Sequence, residues 1–345
     1  IQTDAWGPMT GRTLAAVAAL GLAVLLGVSD SPNARAALVA ARAGSYPVVV
    51  AWSVIWHLAG GLVAGVAVAR TVAELVRVQP NLLAPALAAG CVASIIFTLA
   101  ATRRGIPASA SVGLVGGLAG AGLVAGGWHG VDWGGVRGLH FAGVIGVLAG
   151  LVLAPLFGGV AAGAANRGAR RVSYRLGRSS VRPLRAGVWA ASAAVGFADG
   201  SNDGQKAMGV LAVAASGSAV WGVHGLVIPW WDRVACASLL VATSALGGRR
   251  VVLKVARGLS RTGPVDALAA ETASATVILL AGTAGLPLST SSVVTSAMVG
   301  TGAVRRRRHV RWKGVLAIFG VWAITVPACA LLGAGLMGLW RAFGI

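Results

Sequence analysis

Residues 196–209 read GFADGSNDGQKAMG. Two carboxylates (Asp199, Asp203), two amides (Asn202, Gln205) and an ammonium (Lys206) fall within this short run of an otherwise apolar chain. Such a set suits binding of ions. Carboxylate and amide oxygens coordinate a hard cation. Amide N–H groups and an ammonium donate to an anion. Lys206 can pair with Asp203 or face an anionic substrate, and Asp199 belongs to the edge of the site or to a helix start. A second polar stretch, GVSDSPNARA at 27–36, carries Asp30, Asn33 and Arg35. Arg35 can belong instead to a membrane-boundary charge cluster with Arg42. Two hydroxyl-rich stretches complete the set: GIPASAS at 105–111, with Ser109 and Ser111, and GLPLSTSS at 285–292, with Ser289, Thr290 and Ser291. Pro287 suits the first turn of a helix, where its missing N–H costs nothing. Hydroxyls beside the free N–H groups of a helix start make an anion site.

These groups sit in a chain of 345 residues that is 57% hydrophobic and only 11% charged, against about 25% charged in soluble domains. The composition is that of a polytopic membrane protein. The net charge of +20 does not indicate nucleic acid, because the arginines cluster in short runs between apolar segments, as the positive-inside rule expects. Cys91, Cys236 and Cys329 are isolated and read as buried small apolar side chains, and the five histidines have no ligand spacing. Glu271 reads as a first-turn acid favoured by the helix dipole. Trp128, Trp133, Trp230, Trp231 and Trp340 fall near segment ends, where interface anchoring accounts for them.

The chain repeats itself. Asp30 matches Asp203, and Gly44-Ser45 matches Gly217-Ser218, at an offset of 173 residues. GIPAS at 105 matches GLPLS at 285, at an offset of 180, and VLAP at 152 echoes ITVP at 324. Apolar segments fall at 14–43, 46–69, 82–101, 105–127 and 139–163, then at 186–215, 219–246, 264–284, 285–304 and 314–340. Five crossings per copy force the second copy to enter from the opposite side. The basic clusters at 103–104, 164–185, 249–261 and 305–313 all fall on one side in that arrangement, the cytoplasmic one, and both termini lie outside. The expected fold class is therefore an all-α polytopic membrane protein: about ten transmembrane segments in two inverted-topology repeats, with broken helices or re-entrant hairpins. Its parts are a first repeat at 12–163, a basic cytoplasmic linker at 164–185 and a second repeat at 186–341.

Inverted repeats with interrupted spans are a mark of secondary transporters, whose sites lie near the midplane. A carboxylate there costs at least ~2.5 kcal/mol on insertion scales. Asp30 and Asp203, related by the repeat, then read as paired sites for a coupling Na⁺ or H⁺, with Asn33, Asn202 and Gln205 as neutral donors.

On these residues the chain resembles the inorganic phosphate transporter (PiT) family. GSNDGQKAMG is similar to that family's second signature, GVSDSPNARA to its first, and GLPLSTSS with GIPAS to its Ser-Thr-rich segments. VWAITVP at 321–327 and the Gly pair at 247–248 also fit, so the resemblance spans about 20–340. It implies a multi-pass plasma-membrane symporter, not an enzyme, importing inorganic phosphate with H⁺ or Na⁺ by alternating access and using no cofactor. It implies substrate contacts at Ser109, Ser111, Ser289, Thr290, Ser291, Asn202, Gln205 and Lys206. Cation or proton coupling falls to Asp30, Asn33 and Asp203, with Asp30 and Asp203 as Na⁺ ligands if Na⁺ drives. Partners implied are membrane lipid, a PhoU-like cytoplasmic accessory protein and a second copy of the chain, and no nucleic acid. Ser29 stands where an asparagine is usual, Asp199 where a histidine is common, and Ala110, Val112 and Ser292 depart from the hydroxyl pattern. These departures keep sulfate, another oxyanion, or a non-transporting phosphate sensor as alternatives.

Overall fold

The computed structural model describes residues 7–104, 108–137, 140–176, 181–216, 226–246, 252–253, 262–305, 310 and 312–343. Residues 105–107, Gly217-Ser218, the Gly pair at 247–248 and most of the clusters at 249–261 and 306–311 lie outside them.

The first half runs α1 (Gly7–Ser29), a 3-10 turn (Ser31–Arg35), α2 (Ala36–Ala40), α3 (Tyr46–Val63), α4 (Ala67–Glu74), α5 (Pro80–Arg103), α6 (Ala110–Gly126) and α7 (Gly143–Leu176). A three-residue antiparallel hairpin, β1 (Gly135–Arg137) with β2 (His140–Ala142), precedes α7 and is a small departure from the all-helical reading. The second half runs α8 (Val181–Ser216), α9 (Trp230–Leu246), α10 (Pro264–Thr283), α11 (Thr290–Arg305) and α12 (Trp312–Ala342). The residues of the basic linker at 164–176 and 181–185 are helical, as the end of α7 and the start of α8.

Among the described residues, seven helical stretches are long and apolar enough to cross a membrane: Thr10–Ala40, α3, α5, Ala110–Gly130, most of α7, α10 and Val315–Ala342. Of the other three expected segments, α8 carries the charged motif mid-helix, while α9 and α11 are 17 and 16 residues long. Large apolar side chains stand exposed around the outside, among them Ile55, Val160, Phe157 and Leu331. In a chain of this composition that surface meets lipid.

α6 packs on α5 and α12, and α11 packs on α10 and α7, so each half lays its hydroxyl-bearing helix against the last long helix of the other. α1 packs on α5 as α8 packs on α10. The α6–α12 and α7–α11 crossings are close because both use glycine: a Cβ on Gly120 would strike the Ala330 carbonyl, and one on its repeat counterpart Gly300 would strike the Gly159 carbonyl. Small residues permit such approaches in membranes.

One expectation is corrected. The sequence suggested that both polar motifs interrupt their helices. Only the first does. Pro32, in the 3-10 turn after Asp30, has no N–H and its ring clashes with the preceding turn, so α1 ends at Ser29. The repeat counterpart of Pro32 is Gln205, which has its N–H, and α8 runs helical through the whole second motif.

At one end of the bundle Asn166 (2.8 Å) and Arg170 of α7 donate to Asp266 of α10, and Arg305 of α11 lies 3.7 Å from it. Asp266 is the first-turn acid of α10, accepting from the Gly263 N–H at 2.9 Å. Glu271, read from sequence as the first-turn acid, sits deeper in α10, buried against the backbone of Leu38.

Candidate functional site

The starts of α6 and α11 meet. Ser109 Oγ donates to Ser289 Oγ at 2.9 Å, joining equivalent positions of the two repeats across 180 residues of chain. Ser289 caps α11: its Oγ accepts the Ser292 N–H at 3.3 Å, as an N-cap hydroxyl does. The helix therefore begins later than Pro287 suggested. Asn202 is the reason. Its Oδ1 accepts the Leu288 N–H at 3.2 Å and its Nδ2 donates to the Leu286 carbonyl at 3.0 Å. These bonds hold residues 286–288 out of the helix, which starts only after them. In the first copy the counterpart is Ser29, whose hydroxyl bonds back to Leu25 at 2.8 Å within its own helix.

Around this junction the structure gathers the predicted residues. Ser111 Oγ and Ser291 Oγ, again repeat counterparts, approach the two oxygens of Asp30, each at 3.5 Å. Thr290 Oγ1 lies 3.5 Å from Asp203 Oδ2. Ala110, the counterpart of Thr290, has no hydroxyl to offer Asp30, so the pattern is asymmetric. Lys206 Nζ donates to Asp203 Oδ1 at 2.5 Å, to Ser111 Oγ at 2.7 Å and to the Leu288 carbonyl at 2.5 Å. Those bonds use all three of its N–H groups. Asp30, Asp203, Lys206, Ser109, Ser111, Ser289 and Thr290 are each at most 2% exposed. Ser291, at the rim, is partly exposed.

Two predicted residues act at one remove. Gln205 Oε1 accepts the Val68 N–H at 3.0 Å, so it caps α4 from a neighbouring helix, and its Nε2 donates to the Ser201 carbonyl at 3.0 Å. Asn33 Nδ2 donates back to the Ser29 carbonyl at 3.1 Å, bracing the break after α1.

Sequence reasoning left three residues out. Arg35 is no boundary charge: it is fully buried and donates to the Ser244 carbonyl (2.7 Å) and hydroxyl (2.5 Å) on α9. Asp199 lies not at a helix start but mid-helix, 0% exposed and beside the site. His57 Nε2 stands 2.6 Å from Asp199 Oδ2. The carboxylate that faces His57 lies 142 residues away along the chain. The available signal was that an ionisable residue inside an apolar span is functional by default. The buried, unpaired cysteines are as expected.

Comparison with known proteins agrees with this chemistry. The sequence profile of the phosphate transporter family matches residues 26–181 and 165–333. A probable low-affinity inorganic phosphate transporter of Mycobacterium bovis is 34% identical over 329 residues, covering 95% of this chain and 77% of that protein. One of the same description from Rhizobium meliloti is 29% identical, covering 90% of each. In fold, the chain is similar to a solved sodium-dependent phosphate transporter, with a TM-score of 0.81, 21% identity, and coverage of 96% of this chain and 99% of that one. With both polar motifs, both hydroxyl-bearing helix starts and the buried Asp-Lys cluster inside the matched residues, this multi-pass membrane protein belongs to the phosphate transporter family.

Proposed function

We propose that the chain imports inorganic phosphate by secondary active transport, with its two halves as inverted repeats that alternately open a central site to either face of the plasma membrane. The observation that carries this reading is the meeting of two helix N-termini at Ser109 and Ser289, flanked by Asp30 and Asp203. N-terminal N–H groups and the hydroxyls of Ser109, Ser111, Ser289, Thr290 and Ser291 supply donors to a tetrahedral oxyanion. Asp30 and Asp203 accept a proton or a small cation that offsets the substrate's charge, with Asn33 beside the first of them. Asp203 also holds Lys206. Asn202 and Gln205 serve by fixing the 286–288 segment and the start of α4. Carboxylates facing the anion favour phosphate, which still carries protons at neutral pH, over sulfate, which carries none.

The coupling ion is H⁺ or Na⁺. The basic clusters lie in the cytoplasm: Arg170, Arg305 and Asp266 share one end of the bundle, and α7, α10 and α11 converge there. The test is uptake of labelled phosphate into proteoliposomes, wild type against Asp203→Asn, with Na⁺ and pH gradients imposed separately. Gradient-driven uptake that is lost in the variant is expected, and the effective gradient names the ion. Wild-type protein that takes up sulfate but no phosphate would overturn the reading.

A further inference from the structure

The His57–Asp199 pair lies outside the oxyanion site but beside it, one helical turn before Asp203 on α8. The contact is built. His57 is 1% and Asp199 0% exposed. Gly196 and Gly200 flank Asp199 on α8: a Cβ on Gly196 would press the His57 ring, and one on Gly200 would strike the His57 backbone carbonyl. These two glycines let α3 lie against α8 closely enough for the ring to reach the carboxylate.

The geometry settles where protons sit. His57 Nδ1 is 2.6 Å from the Ser53 carbonyl, which only accepts, so Nδ1 carries a hydrogen. Nε2 and Asp199 Oδ2, 2.6 Å apart, cannot face each other as two lone pairs. A second proton therefore lies between them, and the pair as a unit is neutral. Releasing that proton leaves Nδ1–H in place and a bare lone pair on Nε2, so the ring and the carboxylate must then move apart, and Asp199 keeps a negative charge that His57 no longer offsets. The groups that act on Asp199 electrostatically are Lys206, Asp203, Asp30 and Arg35. With the proton held, three carboxylates face three cations and the cluster is balanced; without it, the cluster is negative by one. Among the other charges on elements packed against α8, Arg70 pairs with Glu74, Asp266 with Arg170, and Arg233 bonds the Ala64 carbonyl, while Arg12 of α1 and Arg103 of α5 lie near the ends of their helices. Asp232 on α9 and Glu271 on α10 add no positive charge.

We propose that His57 and Asp199 form the proton-carrying element of the transport cycle. The pair takes one proton from water on the outer side, which readies the neighbouring site for an anion, and gives it to water on the inner side after the anion has left. The inference rests on the reading of the chain as a phosphate symporter, makes H⁺ its coupling ion and places the carried proton on this pair, with Asp30 and Asp203 remaining charged.

The test is made on the full chain in proteoliposomes, with labelled inorganic phosphate as the probe. Two measurements are compared: accumulation driven by a pH gradient, and equilibrium exchange across the membrane at matched pH, read from mildly acid to mildly alkaline. One pH unit supports at most about tenfold accumulation per proton carried. Asp199→Asn keeps a hydrogen-bond donor toward Nε2 and mimics the loaded pair. It is expected to lose accumulation, while its exchange no longer varies with pH. His57→Gln should lose accumulation as well, and the exchanged pair, His57→Asp with Asp199→His, should recover part of it. Variants in which accumulation and the pH profile of exchange match wild type would overturn the proposal, as would wild-type accumulation driven by Na⁺ alone. Wild-type protein that neither accumulates nor exchanges phosphate would overturn the symporter reading and the inference with it.

Discussion

Lys206→Met tests whether the Asp203–Lys206 pair is an uncompensated liability when broken. Both side chains are 0% exposed, and Nζ gives its three hydrogens to Asp203, Ser111 and Leu288. Removing one member of a buried pair leaves a charge without a partner and typically costs about 3–5 kcal/mol, whereas neutralising both together is often close to neutral. Here the single variant also strands the Leu288 carbonyl, so the upper part of that range is expected. Lys206→Met combined with Asp203→Asn should regain most of it, giving a coupling energy of about 3 kcal/mol. The measurement is reversible unfolding of wild type, both single variants and the double variant in mixed micelles, analysed as a double-mutant cycle. A single variant within about 1 kcal/mol of wild type, or a double variant whose loss equals the sum of the singles, would refute the reasoning. Either would mean that water or an ion already compensates Asp203.

Further perturbations follow from the same geometry. Asn202→Ala orphans the Leu288 N–H and the Leu286 carbonyl, at about 1–3 kcal/mol for each; Asn202→Asp keeps the acceptor but turns a buried carboxylate oxygen toward the Leu286 carbonyl, and should lose at least as much in the same unfolding assay. Gln205→Ala removes the acceptor for the Val68 N–H and should lower protection against hydrogen exchange at the start of α4 by about 1 kcal/mol, with little change in α5. Gly200→Ala drives a methyl into the α3 backbone and should cost at least about 1–3 kcal/mol, while Gly168→Ala, which meets nothing within 4 Å, should raise stability by up to about 1 kcal/mol.

Much of the site was readable along the chain because repetition is a one-dimensional property. Matching Asp30 to Asp203 and Ser109 to Ser289 needed only counting, and the bond between Ser109 and Ser289 joins those counterparts in space. The membrane setting followed from how few charges a long apolar chain carries. Three things did not follow. That Pro32 breaks its helix while Gln205 continues it depends on a single missing N–H, which the similarity of the two motifs conceals. That Asn202 spends both ends of its amide on the 286–288 backbone, and Gln205 its oxygen on α4, depends on which neighbour lies within about 3 Å, and local sequence does not encode that distance. The pairing of His57 with Asp199, 142 residues away, exists only because Gly196 and Gly200 remove side-chain volume where α3 crosses α8. Residue type and spacing decided which groups a buried site could draw on; the helix crossings decided which of those groups touch, since a hydrogen bond requires contact that only packing provides.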